Sequence, residues 1–196
     1  MIKRVLITVV ALTTLGLAAC GHDDDDHEAK DQSSQTTKSS QTTKSSQSAS
    51  SKVAQTLPKQ TLDQAWDVFV KAHPDAQVTA VKLDRETGTY RYEITGNVGT
   101  TEHEMTINGD TGETIQDEED STDDNDPAIK RDGLKPLKDI TTAATKKLAG
   151  STATEWDLDT DNGQVQWEVS LQHDSGEHVV HVDAYSGVAS AAVADD

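Results

Sequence analysis

The chain has 196 residues, with 35 Asp and Glu against 17 Lys and Arg, which gives a formal net charge of −18. This balance argues against binding nucleic acid, whose phosphates need a basic surface, and against attraction to anionic lipid headgroups. The single Cys excludes an internal disulfide and a zinc site built on several thiolates. Only 33% of the residues are hydrophobic, so either the whole chain is poorly folded or polar segments dilute small folded parts.

The N-terminus has the pattern of a secretory signal. Lys3 and Arg4 precede an uncharged apolar run over 5–17, which is too short to span a bilayer comfortably. The run ends in Leu17-Ala-Ala-Cys20, which resembles the lipobox of bacterial lipoproteins. The resemblance implies that residues 1–19 are a lipoprotein signal peptide, cleaved before a lipidated Cys20. The protein is then expected at the extracytoplasmic face of the cell membrane, with the membrane as its first partner.

Residues 20–57 contain almost no apolar side chain. They are rich in Asp, Ser, Thr, Gln and Lys, and the sequence Ser-Ser-Gln-Thr-Thr-Lys occurs twice in succession from Ser33. We predict a disordered tether, because nothing in it offsets the entropy of ordering. The four aspartates between His22 and His27 could collect metal ions weakly, but a solvated charge run is the favoured interpretation.

The remainder contains an internal repeat. Residues 62–112 align without a gap onto 137–187 at a constant offset of 75. In the first repeat, Thr61 and Gln64 have the spacing of a capping box before an apolar helical stripe that ends at Pro74. In the second repeat the stripe is thinner, follows Pro136, and has Gly150 as a plausible stop.

After each helix, the spacing of the apolar residues changes from the helical period to the alternation that is typical of strands. The alternating apolar positions are Val81, Leu83, Tyr90, Tyr92, Ile94, Met105 and Ile107, matched by Trp156, Leu158, Val165, Trp167, Val169, Val180 and Val182. Thr87-Gly88 and Asn162-Gly163 stand where a tight turn needs positive φ. The prediction is an α+β fold of two small repeats, each an N-terminal helix packed on a three-stranded antiparallel sheet. The repeats span 58–115 and 136–196, and an acidic, self-repelling linker spans 116–135.

Both repeats close with the same motif. Asn108-Gly-Asp-Thr-Gly112 corresponds to Asp183-Ala-Tyr-Ser-Gly187, where the Asx side chain caps a turn and Gly takes positive φ. With the preceding strands 90–94 and 165–169, the pattern resembles the PepSY domain, and the chain resembles a tandem-PepSY lipoprotein of Gram-positive bacteria. The resemblance implies an extracytoplasmic module that binds or restrains peptidases in trans and contributes no catalytic residues.

The outward-facing strand residues are the candidate interaction surface. They are Arg91, Glu93, Glu102, Gln166, Glu168 and Glu177. Glu93 and Glu168 match between the repeats, but a glycosidase needs two carboxylates facing one cleft, so we predict no catalytic pair and no enzyme. His103 and His178 also match and are expected to be packed, hydrogen-bonded edge histidines, with pH sensing as the alternative. His178 and His181 face opposite sides of a strand and cannot share a metal.

The best metal candidates are Asp157, Asp159 and Asp161. With Glu168 they approach an EF-hand loop, but Gly163 falls one place late and the run joins two predicted strands. We interpret it as an acidic hairpin, with weak calcium binding as a minority hypothesis and no cofactor predicted.

Two hypotheses for function follow. The leading one is a non-catalytic, lipid-anchored protein that binds or regulates a peptidase or another envelope protein through a polar sheet face or an exposed edge strand, with bivalent binding through the linker as a variant. The alternative is an envelope ligand- or cation-binding lipoprotein that uses its acidic loops.

Overall fold

The computed structural model describes residues 56–123 and 126–195, which fall within one compact unit, 48–196. The predicted signal peptide, Cys20 and nearly all of the predicted tether lie outside the described residues. The helices are α1 (Leu62–Ala72) and α2 (Leu137–Thr145). The strands are β1 (Gln77–Glu86), β2 (Thr89–Val98), β3 (Thr101–Asn108), β4 (Thr114–Ser121), β5 (Thr152–Asp161), β6 (Gln164–His173), β7 (Gly176–Asp183) and β8 (Val193–Ala194). The α+β class is confirmed.

The repeat governs the placement of the elements. β1, β2 and β3 begin and end 75 residues before β5, β6 and β7, and α1 begins 75 residues before α2. The predicted alternating apolar positions are buried, except for the half-buried Val165. Both tight turns have the positive φ angles that a two-residue hairpin requires, 48° and 92° at Thr87-Gly88 and 50° and 79° at Asn162-Gly163.

The two helices begin and end differently. At α1 the predicted capping box forms: Gln64 N donates to Thr61 Oγ1 over 3.2 Å, and Thr61 N donates to Gln64 Oε1 over 2.8 Å. In contrast, α2 follows Pro136 without a side-chain cap and ends at Thr145, well before Gly150. Thr141 and Thr145 donate their hydroxyls to carbonyls four residues earlier, an arrangement that weakens a helix of β-branched residues.

A single sheet replaces the two separate sheets that the sequence predicts. The strand order is β4-β3-β2-β1-β5-β6-β7-β8, and all neighbouring strands in this order pair antiparallel, so β1 and β5 join the repeats. At this seam Val81 pairs with Leu158, Lys82 with Asp157, and Leu83 with Trp156. Lys82 and Asp157 are themselves 75 residues apart, so the pseudo-twofold axis of the repeat passes between them. Both helices cover the same sheet face.

Each repeat also has a fourth strand that the sequence analysis did not predict. β4 pairs with β3 along its length, and the two-residue β8 pairs with β7 at the opposite edge. All eight residues of β4 are exposed, and four of them are consecutive acids from Asp117. An apolar alternation could not reveal such a strand, because none of its side chains enters the core. Acidic side chains also suit an edge strand, since they discourage pairing with other chains.

The predicted linker 116–135 therefore begins inside β4, and its second half packs against the first repeat. Ile129 is buried, and its N–H donates to the carbonyl of Val78 over 2.8 Å. Arg131 reaches α1, where its guanidinium lies 2.8 Å from Asp63 and 2.5 Å from Asp67.

At equivalent core positions, the first repeat has its large side chain on the helix and the second repeat has it on the strand. Large Phe69 on α1 lies over Gly96 on β2, where an added Cβ would be only 2.9 Å from the Phe69 ring and 3.0 Å from the carbonyl oxygen of Gln77. The equivalent positions, 75 residues later, are Ala144 on α2 and Leu171 on β6, both fully buried. The thin stripe of α2 is thus offset by a larger side chain on the strand.

A second exchange of the same kind involves the tryptophans. Trp66 on α1 and Val81 on β1 correspond to Thr141 on α2 and Trp156 on β5. The indole Nε1 of Trp156 donates to the Thr141 hydroxyl over 3.0 Å, so the smaller helix residue also satisfies the buried donor.

Candidate functional site

The sheet face opposite the helices is polar and runs without interruption across both repeats. One row of directly paired residues crosses six strands from β3 to β7. In order, it contains Thr106, Glu93, Lys82, Asp157, Glu168 and His181. The seam between β1 and β5 is the centre of this row. The two outward faces that the sequence predicts as separate surfaces are therefore one surface, which we call the polar face.

Lys82 is the cation at the centre of the polar face. Its Nζ lies 2.6 Å from Glu155 Oε1 on the neighbouring strand. Burial disfavours the charged amine, but the hydrogen bond to Glu155 and the nearby carboxylates of Asp157 and Asp84 outweigh it and raise the pKa of Lys82. Lys82 therefore stays charged and anchors the surrounding acids.

Asp157, beside Lys82, is the most perturbed acid on this surface. Burial, followed by the negative charge of Glu155, raises the pKa of Asp157 to about 7, although Lys82 acts in the opposite direction. The Glu168 charge and a side-chain hydrogen bond to Glu155 add to the increase. At neutral pH, Asp157 thus holds a proton for a large part of the time and donates it to Glu155.

Other carboxyls of the polar face shift in the same direction. Burial is the largest cause for Asp84, Glu93, Glu104 and Asp159, and neighbouring acids add to it in each case, so the pKa of each is raised. Asp84, Glu93 and Glu104 are half-buried and Asp159 is exposed. Together these acids outnumber the nearby cations and leave this surface short of positive charge. A basic partner would relieve that imbalance.

The six predicted interaction residues all lie on the polar face. Arg91 forms an ion pair with Glu86 and is opposite Asp84 in register. Glu93 and Glu168 flank the central Lys82 and Asp157 on either side.

The remaining three predicted residues lie farther from the seam. Gln166 Nε2 is 3.4 Å from Asp161 Oδ2, at the end of the β5–β6 hairpin. Glu102 is on β3 and Glu177 on β7, toward opposite edges of the sheet. The structure thus gathers the mid-strand residues around the seam and leaves these three peripheral.

Glu93 and Glu168 are too far apart to act as a hydrolytic pair. Two strands separate β2 from β6, which places their backbones about 14 Å apart at the usual strand spacing of about 4.8 Å. Carboxylate pairs that cleave glycosides are about 5–10 Å apart.

Lys82 and Glu155, at the centre of the polar face, are not among the residues predicted from the sequence. They meet only because β1 pairs with β5, and periodicity within a strand carries no information about which strands become neighbours. One signal was present: the constant offset places Lys82 and Asp157, of opposite charge, at equivalent positions.

The matched histidines lie on the helix side of the sheet. His103 stacks on His73, with ring centroids 4.3 Å apart, and His73 Nε2 is 2.9 Å from Asp117 Oδ1 on β4. The histidine pair thereby ties the acidic edge strand to α1. His178 Nδ1 lies 3.1 Å from the Gly176 carbonyl oxygen, as expected for a hydrogen-bonded edge histidine.

The three metal candidates lie along β5 and do not form a loop site. Asp157, Asp159 and Asp161 belong to the strand that ends at the Asn162-Gly163 turn, which is the predicted acidic hairpin. Across residues 56–123 and 126–195, no three His, Cys, Asp or Glu side chains are grouped so as to hold a metal ion.

This architecture defines a class of protein: a tandem α+β module that presents a continuous polar sheet face. Both repeats match the family model described as "Peptidase propeptide and YPEB domain", PepSY, over residues 59–118 and 135–189. The chain belongs to the PepSY family.

Comparison with solved structures gives the same fold. A crystal structure of a putative lipoprotein from Clostridium difficile 630 matches with a TM-score of 0.65 and 19% sequence identity, covering 70% of this chain and 95% of that one. No curated protein matches the chain significantly. Neither α1 nor α2, the helices of the described region, is long and apolar enough to cross a membrane.

Proposed function

We propose that this protein is a non-catalytic, extracytoplasmic binding protein, held at the membrane by lipid on Cys20. Its tandem PepSY repeats bind and regulate a peptidase or another envelope protein through the polar face. The family description supports a peptidase as partner. The lipobox-like Leu17-Ala-Ala-Cys20 and the lipoprotein-like structural neighbour support the location.

The observation that carries the proposal is the charge imbalance around the seam. Lys82 is surrounded by carboxyls whose pKa values are raised, chiefly by burial. A partner that presents Lys or Arg side chains would stabilise the ionised forms of these acids and gain affinity by doing so. We therefore expect a basic surface patch on the partner.

Crosslinking in cells tests this surface directly. A photoreactive amino acid at Gln166, on the polar face, should capture a defined partner, whereas the same amino acid at exposed Lys71 on α1 should not. Charge reversal by Glu93→Lys together with Glu168→Lys should abolish capture, and Asp174→Lys in an exposed hairpin should leave it unchanged. Equal capture from both positions, or capture that survives the double reversal, would exclude the polar face.

Regulation of a peptidase is a separate measurement. Purified residues 21–196 should slow a secreted peptidase of the same organism in a dose-dependent manner. The double reversal of Glu93 and Glu168 should relieve the inhibition. A partner captured by crosslinking without any effect on peptidase activity would retain the binding role and remove the regulatory one.

Lipid anchoring has its own test. Cys20→Ala should release the protein into the medium or leave the precursor uncut. Unchanged association of the variant with membranes would contradict anchoring through this residue.

A second candidate function is cation binding at the envelope. The observation that favours it is an acidic surface depression of about 440 Å³, lined by Glu102, Glu104, Glu118, Glu119 and Asp120. Because no three of these carboxylates are grouped as ligands of one ion, the depression would attract calcium by its charge and not by coordination. Millimolar calcium should then raise the melting temperature of residues 21–196 and produce heat in a calorimetric titration. Absence of both effects would dispose of this function without affecting the first.

A further inference from the structure

A cleft opens on the helix side of the sheet, on the opposite side from the polar face. It has a volume of about 360 Å³ and lies where α1 and α2 begin. Two chain segments, 57–63 and 134–138, form most of its walls, and Tyr92 completes them. Residues 60–63 and 135–138 are equivalent in the repeat, so the cleft lies on the same pseudo-twofold axis as the seam.

The walls of the cleft are mainly apolar. The apolar wall residues are Leu57, Pro58, Leu62, Leu134, Pro136 and Leu137. The volume falls at the low end of the range for small-molecule sites, about 300–1,000 Å³. A small molecule with an apolar chain fits a cleft of this size better than a folded protein does.

The rim of the cleft is positively charged, whereas the chain as a whole is negatively charged. The charged residues that line the cleft are two lysines, Lys135 and Lys138, and one acid, Asp63, in a protein of net charge −18. Lys135 and Lys138 line the cleft, are exposed, and form no ion pair within the described part of the chain. The acid at the rim, Asp63, is engaged by Arg131 at 2.8 Å. The charge left available to a ligand is therefore positive.

We propose that this cleft binds a small amphiphilic carboxylate, with its acyl chain between the apolar walls and its headgroup at Lys135 and Lys138. Charge complementarity selects the anionic headgroup, and the apolar walls select the chain. The site uses neither the residues nor the sheet face of the proposed function, so the two can fail independently.

Calorimetric titration with decanoate, below its micelle-forming concentration, tests the site. Residues 21–196 contain the whole compact unit 48–196 and lack the lipid-bearing cysteine. Decanoate should bind saturably with one site per chain. Decanol should bind more weakly because it lacks the charge, and decyltrimethylammonium should not bind.

Charge reversal locates the headgroup. Lys135→Glu combined with Lys138→Glu should weaken decanoate binding by at least roughly tenfold, since two attractive pairs become repulsive. Lys147→Glu, a matched reversal of an exposed lysine outside the cleft, should leave the affinity unchanged. The melting temperature of each variant should be measured and should equal that of the wild type, so that a change in affinity reflects the charge and not the fold.

A second variant, which fills the cleft, keeps the test decisive if the double charge reversal fails to fold. Leu57→Trp, at a half-buried wall position, should block binding while retaining the wild-type circular dichroism spectrum. The proposal is overturned if decanoate shows no saturable binding, if decanol binds as tightly as decanoate, or if binding survives both the double reversal and Leu57→Trp.

Discussion

Replacement of Asp157 by Asn should stabilise the protein at neutral and alkaline pH. Asp157 is the polar-face carboxyl with a pKa of about 7, against 3.8 for an unperturbed Asp. Asn removes the half-buried negative charge beside Glu155 and retains a donor for its carboxylate. The substitution therefore keeps the hydrogen bond and removes the repulsion.

The sign and size of the effect follow from proton linkage. Between about pH 4 and pH 7 the unfolded chain has lost the Asp157 proton and the folded chain retains it, so the free energy of unfolding falls as pH rises. A shift of about three pKa units sets a ceiling of about 4 kcal/mol. Since local relaxation around Lys82 absorbs part of this, we expect about 1–3 kcal/mol of stabilisation above pH 7.

Urea unfolding followed by tryptophan fluorescence, from pH 4.5 to pH 8.5 in roughly half-unit steps, measures this difference. The free energies of unfolding of the wild type and Asp157→Asn should converge at the acid end and separate as pH rises. Asp174→Asn, at an exposed hairpin position, should run parallel to the wild type. A constant offset between Asp157→Asn and the wild type, or destabilisation at pH 8, would refute the reasoning.

Two further predictions concern the exchange of bulk between the repeats. Gly96→Leu and Phe69→Ala should each destabilise the fold, the first by overpacking and the second by a cavity costing about 3–5 kcal/mol, whereas the double variant should recover about 1–3 kcal/mol of the summed loss. Additive losses in urea unfolding would mean that the two positions do not share one space. Separately, Thr141→Val should cost about 1–3 kcal/mol because the buried Trp156 donor loses its acceptor. Thr142→Val, on the exposed side of the same helix, is the control, and equal losses in thermal unfolding would contradict the importance of the Trp156 contact.

Local elements were predictable because they depend on patterns within the sequence. The capping box at Thr61 and the two positive-φ turns follow from residue type and spacing. The buried strand positions follow from alternation. The constant offset of 75 then carries each of these from the first repeat to the second.

The remaining features depend on contacts that no local pattern encodes. β4 contributes only exposed side chains, and the seam requires knowing that β1 pairs with β5. The end of α2 at Thr145 reflects hydroxyl-to-carbonyl bonding within a helix whose apolar stripe continues past it. The thin apolar stripe of α2 is explained only by the large side chains of Leu171 and Trp156, which lie beneath the helix.

The candidate site, too, is predictable from the sequence only in part. Alternation suffices to put Glu93 and Glu168 on an outward face of each repeat. Their arrangement around Lys82 depends on the seam, and so does the burial that shifts the pKa of Asp157. Electrostatics on this surface is therefore a property of the joined sheet.

If the polar face binds a partner as proposed, the seam also determines how that partner is selected. Two domains on a flexible linker could adjust their separation to many partners and would lose conformational entropy whenever both bound at once. Joined through β1 and β5, the repeats have a separation that is set when the chain folds. Under the proposed function, a partner with matching spacing of its basic groups would meet a preorganised surface, and one with a different spacing would be rejected by geometry alone.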